Sequence, residues 1–180
     1  MIARLITVLA VAAASCATVP GASPYAGEES RPIKALSPDE VSSLLAGKGM
    51  GLAKAAELNG YPGPAHVLEL ADRLQLSPEQ RGKTQALFAS MQAKAMSLGR
   101  AIVDEERALD LLFAGKTATT VQVSASLARI GDLQARVRGA HLEAHLAQVL
   151  LLTPEQNAKY VELRGYGDPA AHDSGAVHRH

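Results

Sequence analysis

The chain has 180 residues, of which 47% are hydrophobic, only 3% aromatic and none Trp, so a single domain with a shallow, Ala-rich and helix-lined interior is expected. Eighteen basic and eighteen acidic residues cancel, at a pI near 7.0. No net field draws in nucleic acid or an anionic membrane surface, and neither role is expected.

Arg4, an apolar run from Leu5 to Ala14 and then small residues have the order of a secretory signal peptide, and the run is too short to span a bilayer. Residues 1–15 are therefore expected to direct export to the periplasm or cell envelope. The single cysteine, Cys16, follows Ala13-Ala14-Ser15 in what looks like a bacterial lipobox with Ala in place of the usual Leu. Two outcomes stay open: Cys16 becomes an acylated, lipid-anchoring N-terminus, or cleavage after Ala17 releases the protein. Residues 16–35, with Pro20, Gly21, Pro24, Gly27 and Pro32, read as a disordered tether.

The helical domain is expected over residues 36–163. Three times a Leu is followed by Ser or Thr, Pro, an acid, and Glu or Gln: Leu36 to Glu40, Leu76 to Gln80 and Leu152 to Gln156. Each copy spells a helix N-terminus, with Ser37, Ser77 or Thr153 as N-cap, Pro at the first helical position, and Glu40, Gln80 or Gln156 returning the capping bond. The first box opens a short helix over 38–46, and another is expected from Met50 to Leu58, ending at Asn59-Gly60. Tyr61-Pro62-Gly63-Pro64 turns the chain into a third, His66 to Leu74.

From Pro78 to Phe113 the chain contains no further Pro, which predicts one helix of about 54 Å. Its apolar stripe runs through Thr84, Phe88, Met91, Ala95, Leu98, Ile102, Leu109 and Phe113. After Gly115-Lys116-Thr117 a second long helix, about Thr119 to Leu150, carries Val123, Leu127, Ile130, Val137 and Ala144, with Gln134, His141 and Gln148 inserted in the same seam. The two are expected to pack as an antiparallel hairpin, followed by a last helix over 154–163. Residues 164–180, with His172, His178 and His180, read as a disordered tail. Two crossing helices form a thin layer that cannot bury its own stripe, so the short helices and a second protomer are expected to cover it, giving a homodimer.

His141 and His145 stand four apart and share a helix face, where both imidazoles can meet one divalent ion. Folding the hairpin at Lys116 brings Met91 opposite His141 and Phe88 opposite His145, and His66 joins if its helix folds over. Such a set suits Zn, Ni or Cu; the plainer reading is that both imidazoles are half-buried seam residues. No cofactor is required by anything else in the chain. Asp104, Glu105 and Glu106 have Arg100, Arg107 and Arg129 within reach and read as ion-pair partners. With no Ser/His/Asp set, phosphate loop or nucleotide motif, the chain is not expected to be an enzyme.

The last two boxes are of the LTxxQ type, Leu76-Ser77 to Gln80 and Leu152-Thr153 to Gln156, and a long hairpin separates them. In this the chain resembles the LTxxQ proteins, the Spy/CpxP-like periplasmic stress proteins and their metal-sensing relatives. The resemblance implies an all-α, dimeric cradle that holds non-native envelope proteins without ATP, with Phe88, Met91, Leu98, Ile102, Ile130, Gln134 and Val137 as client-facing candidates. It equally implies two alternatives: a periplasmic heavy-metal sensor or scavenger using the helix histidines, and a regulatory module docking on an envelope sensor kinase. The neutral charge and the block from Gly49 to Pro64 depart from the family pattern.

Overall fold

A computed structural model describes Gly21 and residues 23–166. The signal peptide, Cys16 and the tail histidines His172, His178 and His180 lie outside the described residues. Residues 23–30 form turns, closed by the N–H of Ala26 on the Ser23 carbonyl and that of Glu28 on Tyr25, each 3.0 Å. From Arg31 a separate unit carries six helices among the described residues: α1 (Pro38–Leu45), α2 (Lys54–Glu57), α3 (Pro64–Glu69), α4 (Pro78–Ala114), α5 (Thr120–Leu151) and α6 (Pro154–Leu163).

All three boxes cap as their chemistry dictates. Ser37, Ser77 and Thr153 accept from the backbone N–H of Glu40, Gln80 and Gln156, whose side chains return the bond to the cap N–H. A fourth box, Thr119 with Gln122, starts α5; it lacks the Leu and Pro of the other three and the repeat does not reveal it. The second short helix is much shorter than expected. Met50 and Gly51 take φ of 43° and 79°, a left-handed pair that cannot continue into a helix, and only Lys54–Glu57 is helical. The third begins two residues early, because Pro64 serves as its first residue after Gly63, and closes at Glu69 instead of Leu74.

α4 and α5 form the antiparallel hairpin, reversed where Lys116 adopts φ 54°. Residues 33–47 run along α4 in the opposite direction. Lys34 meets Asp110 at 3.2 Å, Leu44 lies on Gly99, and the Ala46 carbonyl accepts from the Gln92 side chain at 3.5 Å. This segment buries Ile33 and Leu44 with Ala95, Leu98, Ile102, Val103 and Val137 as the main core, flanked by Leu36, Val41, Leu52 and Met91. Each such buried aliphatic side chain contributes about 1.5–3 kcal/mol. The folded part therefore begins before Leu36, since Ile33 is a core residue.

The α5 seam differs from the one read by heptads. Ser126, Ile130, Val137, Ala140, His141, Ala144, His145 and Gln148 are buried, whereas Gln134 and Leu127 are exposed. Leu133 takes the place next to the core, a step of three from Ile130 where four was expected. Gln148 is fully enclosed, and its amide donates to Thr84 Oγ1 at 3.2 Å.

The open end of the hairpin is closed by the two LTxxQ-type boxes themselves. The Gln80 amide donates to Gln156 Oε1 at 2.7 Å and to the Leu151 carbonyl at 3.0 Å. The Gln156 amide donates to Gln80 Oε1 at 3.1 Å and to the Leu74 carbonyl at 3.1 Å. Each Gln thus caps its own helix with its oxygen and clasps the other box with its nitrogen. A second apolar cluster, Val67, Leu74, Leu152 and Tyr160 with Leu70, Leu76 and Leu163, shields the clasp.

Replacing Ser77 or Thr153 by Ala should cost about 1 kcal/mol each. Gln80→Ala or Gln156→Ala should cost about 1–3 kcal/mol, since half-buried carbonyls lose their donors. Urea unfolding of the double-mutant cycle should give a coupling of about 0.5 kcal/mol or more. Strictly additive Gln losses would mean that the two boxes do not support each other.

Candidate functional site

Between the segment from Ala46 to His66 and the hairpin lies a cavity of about 510 Å³, walled by Gly49, Glu57, His66, Met91, His141 and His145 among others. The folded chain therefore brings together all four residues expected to address a metal, and Phe88 lines the same wall. α5 supplies His141 and His145 one turn apart; α4 supplies Met91 and Phe88; α3 supplies His66. Glu57, at the end of α2, is the member that sequence reasoning missed. It sits among Ala55, Ala56 and Leu58 with nothing nearby to mark it, and its partners lie about a hundred positions away.

Glu57 is 9% exposed. Its Oε1 accepts from the Tyr160 hydroxyl at 2.6 Å, the Tyr166 hydroxyl at 3.0 Å and Arg164 Nε at 3.1 Å, and His66 Nδ1 lies 3.2 Å away. Burial pushes this carboxyl up, but the Tyr160 and Tyr166 hydrogen bonds with the His66 and Arg164 charges outweigh it and hold it below the usual carboxylate range. Burial, then the hydrogen bond to Glu57, pushes the Tyr160 phenol well up, so it stays a donor. Tyr160 also accepts from the Gly63 N–H at 3.3 Å. The hub ties the α2–α3 connection to α6.

Glu57 Oε2 has no hydrogen-bond partner, and neither has buried His141 Nε2. His145 Nδ1 donates to the Tyr61 carbonyl at 2.8 Å, which leaves Nε2 as the ring nitrogen on the Gly63 side. A side chain on Gly63 would crowd this corner: its Cβ would stand 3.1 Å from His145 Nε2 and 3.4 Å from Glu57 Oε2. Unpartnered nitrogen and carboxylate oxygen suit a divalent cation in kind. No group of three His, Cys, Asp or Glu among the described residues is placed to hold a metal ion.

The client-facing candidates divide. Leu98, Ile102, Ile130 and Val137 are between 2% and 7% exposed and belong to the interior, so they do not face solvent in this chain. The first two and Val137 lie under residues 33–47, which supply the part of the cover expected of the short helices. Phe88 and Met91 are half-buried at the cavity, and Gln134 is exposed. Exposed apolar side chains of the hairpin lie elsewhere: Leu111, Phe113, Val121 and Leu127 towards its turn are 63%, 60%, 80% and 54% exposed, and Leu146 and Leu150 towards its open end are 55% and 84% exposed. The acidic run pairs with Arg as expected, Asp104 with Arg107 and Glu105 with Arg129, each at 2.9 Å.

Burial, and then the neighbouring His145 charge, lower the His141 pKa from 6.5. The folded chain is thus less protonated at His141 than the unfolded chain, and its stability falls as the pH drops below that value. Glu57, also depressed, adds a second loss as the pH falls below 4.5. Urea unfolding between about pH 8 and about pH 5 should show a downward slope that His141→Gln flattens. A variant curve parallel to the wild type would exclude His141 as the cause.

No curated protein and no solved structure matches the chain. A family model described as LTXXQ motif family protein matches residues 65–164, more than half of the sequence. The match takes in α4, the turn, α5, α6 and both clasping boxes, and it begins after α1, α2 and Glu57. The clasp at the open end of the hairpin and this match agree: the chain belongs to the LTXXQ motif family.

Proposed function

We propose that this protein is an exported envelope stress-response protein that binds non-native proteins without ATP. Membership of the LTXXQ motif family supports this reading, and no helix among the described residues is long and apolar enough to cross a membrane. The observation that carries the reading is the hairpin tip. Leu111, Phe113, Val121 and Leu127 stand in solvent where the cover of residues 33–47 does not reach, next to Lys116, Thr117 and Gln122. Exposed apolar side chains interleaved with polar groups stay soluble and bind unfolded chains loosely. In this reading the protein acts in the periplasm, held by a lipid on Cys16 or free after cleavage, as a homodimer whose partner subunit extends the patch. The same tip docking on an envelope sensor kinase is the regulatory form of the reading.

Phe113→Ser with Leu111→Ser should leave the stability within about 0.5 kcal/mol of wild type, because both side chains are already exposed. Suppression of client aggregation by the purified mature protein should fall severalfold. Unchanged suppression would move the client site away from the tip, and no suppression by the wild type would favour the docking role.

A second reading is favoured by the unpartnered His141 Nε2 and Glu57 Oε2 in one cavity: a sensor or scavenger that takes Zn, Ni or Cu on His141 and His145, with His66 and Met91 beside them. The measurement is thermal melting with added metal, after His172, His178 and His180 are replaced by Asn. A bound ion at a hundredfold above its Kd should stabilise by about 2.7 kcal/mol, and His141→Ala should abolish the gain. A melting point indifferent to metal leaves the two imidazoles as seam residues.

A further inference from the structure

We infer that residues 33–47 occupy in cis a helix-accepting groove of the hairpin, and that the clients admitted there are short amphipathic helical segments that displace them. The groove floor is apolar and deeply buried: Ala95, Leu98, Ile102, Val103 and Val137. Its centre has no side chain. Gly99 lies against Leu44, where a Cβ would overlap the Leu44 carbonyl, so the groove accepts a helix backbone at contact distance. Into it α1 projects Val41, Leu44 and Leu45, the i, i+3, i+4 spacing of an amphipathic helix.

The occupant and the block on its C-terminal side are held in different ways, the first mainly by apolar contact and the second by the Glu57 hub. α1 has eight residues, too few to persist without tertiary support. Its polar ties to α4 are the Lys34 ammonium and N–H on Asp110, at 3.2 and 3.3 Å, and the 3.5 Å bond from Gln92 to the Ala46 carbonyl. Beyond it, Gly47, Met50 and Gly51 have φ of 64°, 43° and 79°, a left-handed stretch suited to a hinge. After the hinge comes Glu57, fixed by Tyr160, Arg164 and Tyr166. Local opening therefore releases residues 33–47 as a piece while the Glu57 hub keeps the rest of the N-terminal block in place. The groove opened this way exposes Leu98, Ile102 and Val137, three of the side chains that the family resemblance assigns to clients. The inference rests on the chaperone reading for its client and on the geometry of Leu44 and Gly99 for its groove.

Two forms of the full mature protein test it. Leu44→Ser, with the milder Val41→Ser beside it, loosens the cover without touching the groove. Lys34→Cys with Asp110→Cys, joined by a bis-maleimide in a Cys16→Ser background, pins the cover down. The probe is a fluorescently labelled synthetic peptide of residues 33–47. It should bind the loosened forms about tenfold more tightly than wild type, because apparent affinity scales with the fraction of open molecules, and the pinned form hardly at all. Aggregation suppression should follow the same order. Equal peptide binding by wild-type, loosened and pinned forms, or binding by none of them, overturns the groove. Peptide binding in the expected order with no suppression of aggregation by any form keeps the groove and removes the chaperone reading.

Discussion

Two helices of 37 and 32 residues are joined by the chain at one end only, and the reciprocal amide pair of Gln80 and Gln156 joins them at the other. Neither helix has enough apolar stripe to guarantee this alone, since both seams carry polar groups such as Thr84, Gln148 and the two histidines. The clasp makes the open end a defined object. Each Gln oxygen is engaged by its own N-cap and each nitrogen by the opposite box, so neither box is satisfied without the other. α4 and α6 both start at this point.

Glu57 does for the N-terminal block what the clasp does for the hairpin. A buried carboxylate is costly unless its charge is met, and here two phenols, a guanidinium and an imidazole converge on one oxygen. Removing any one of them leaves the others around an incompletely satisfied charge, which is why the hub acts as a unit. The second oxygen accepts no hydrogen bond and has His145 Nδ1 at 3.7 Å. Glu57 and His141 line the same cavity, and each carries a buried polar atom without a hydrogen bond.

The hairpin presents two apolar regions in different states. Along its middle, residues 33–47 cover the stripe and turn it into core; at its tip, four large side chains stay in solvent. The difference comes from length. A segment that runs from Asp110 back to Gln92 cannot also reach Phe113 and Val121. On the proposed function, the cover holds back part of the client-binding surface, and the left-handed turn at Met50 and Gly51 separates the covering segment from the anchored hub.

Most of the helix starts were legible because capping is settled within four residues: Ser37, Ser77 and Thr153 needed only the Pro and the Glu or Gln after them. The long Pro-free stretches likewise fixed the hairpin, and the spacing of His141 and His145 fixed their common face. Sequence periodicity placed the α5 seam less well, because a slip of one residue moves Gln134 out and Leu133 in, and packing against the cover decides the slip. The Glu57 hub was not legible at all, since Tyr160 and Tyr166 lie 103 and 109 positions away. Nor was the seat of Leu44 on Gly99, where what matters is an absent side chain. By itself the sequence determined where the three boxed helices begin, that the hairpin helices are long and which residues share a face, all consequences of bonds between near neighbours. The tertiary structure alone decided which apolar face is covered, which carboxylate is buried and which nitrogen is left unpartnered, because those depend on surfaces brought together across a hundred residues.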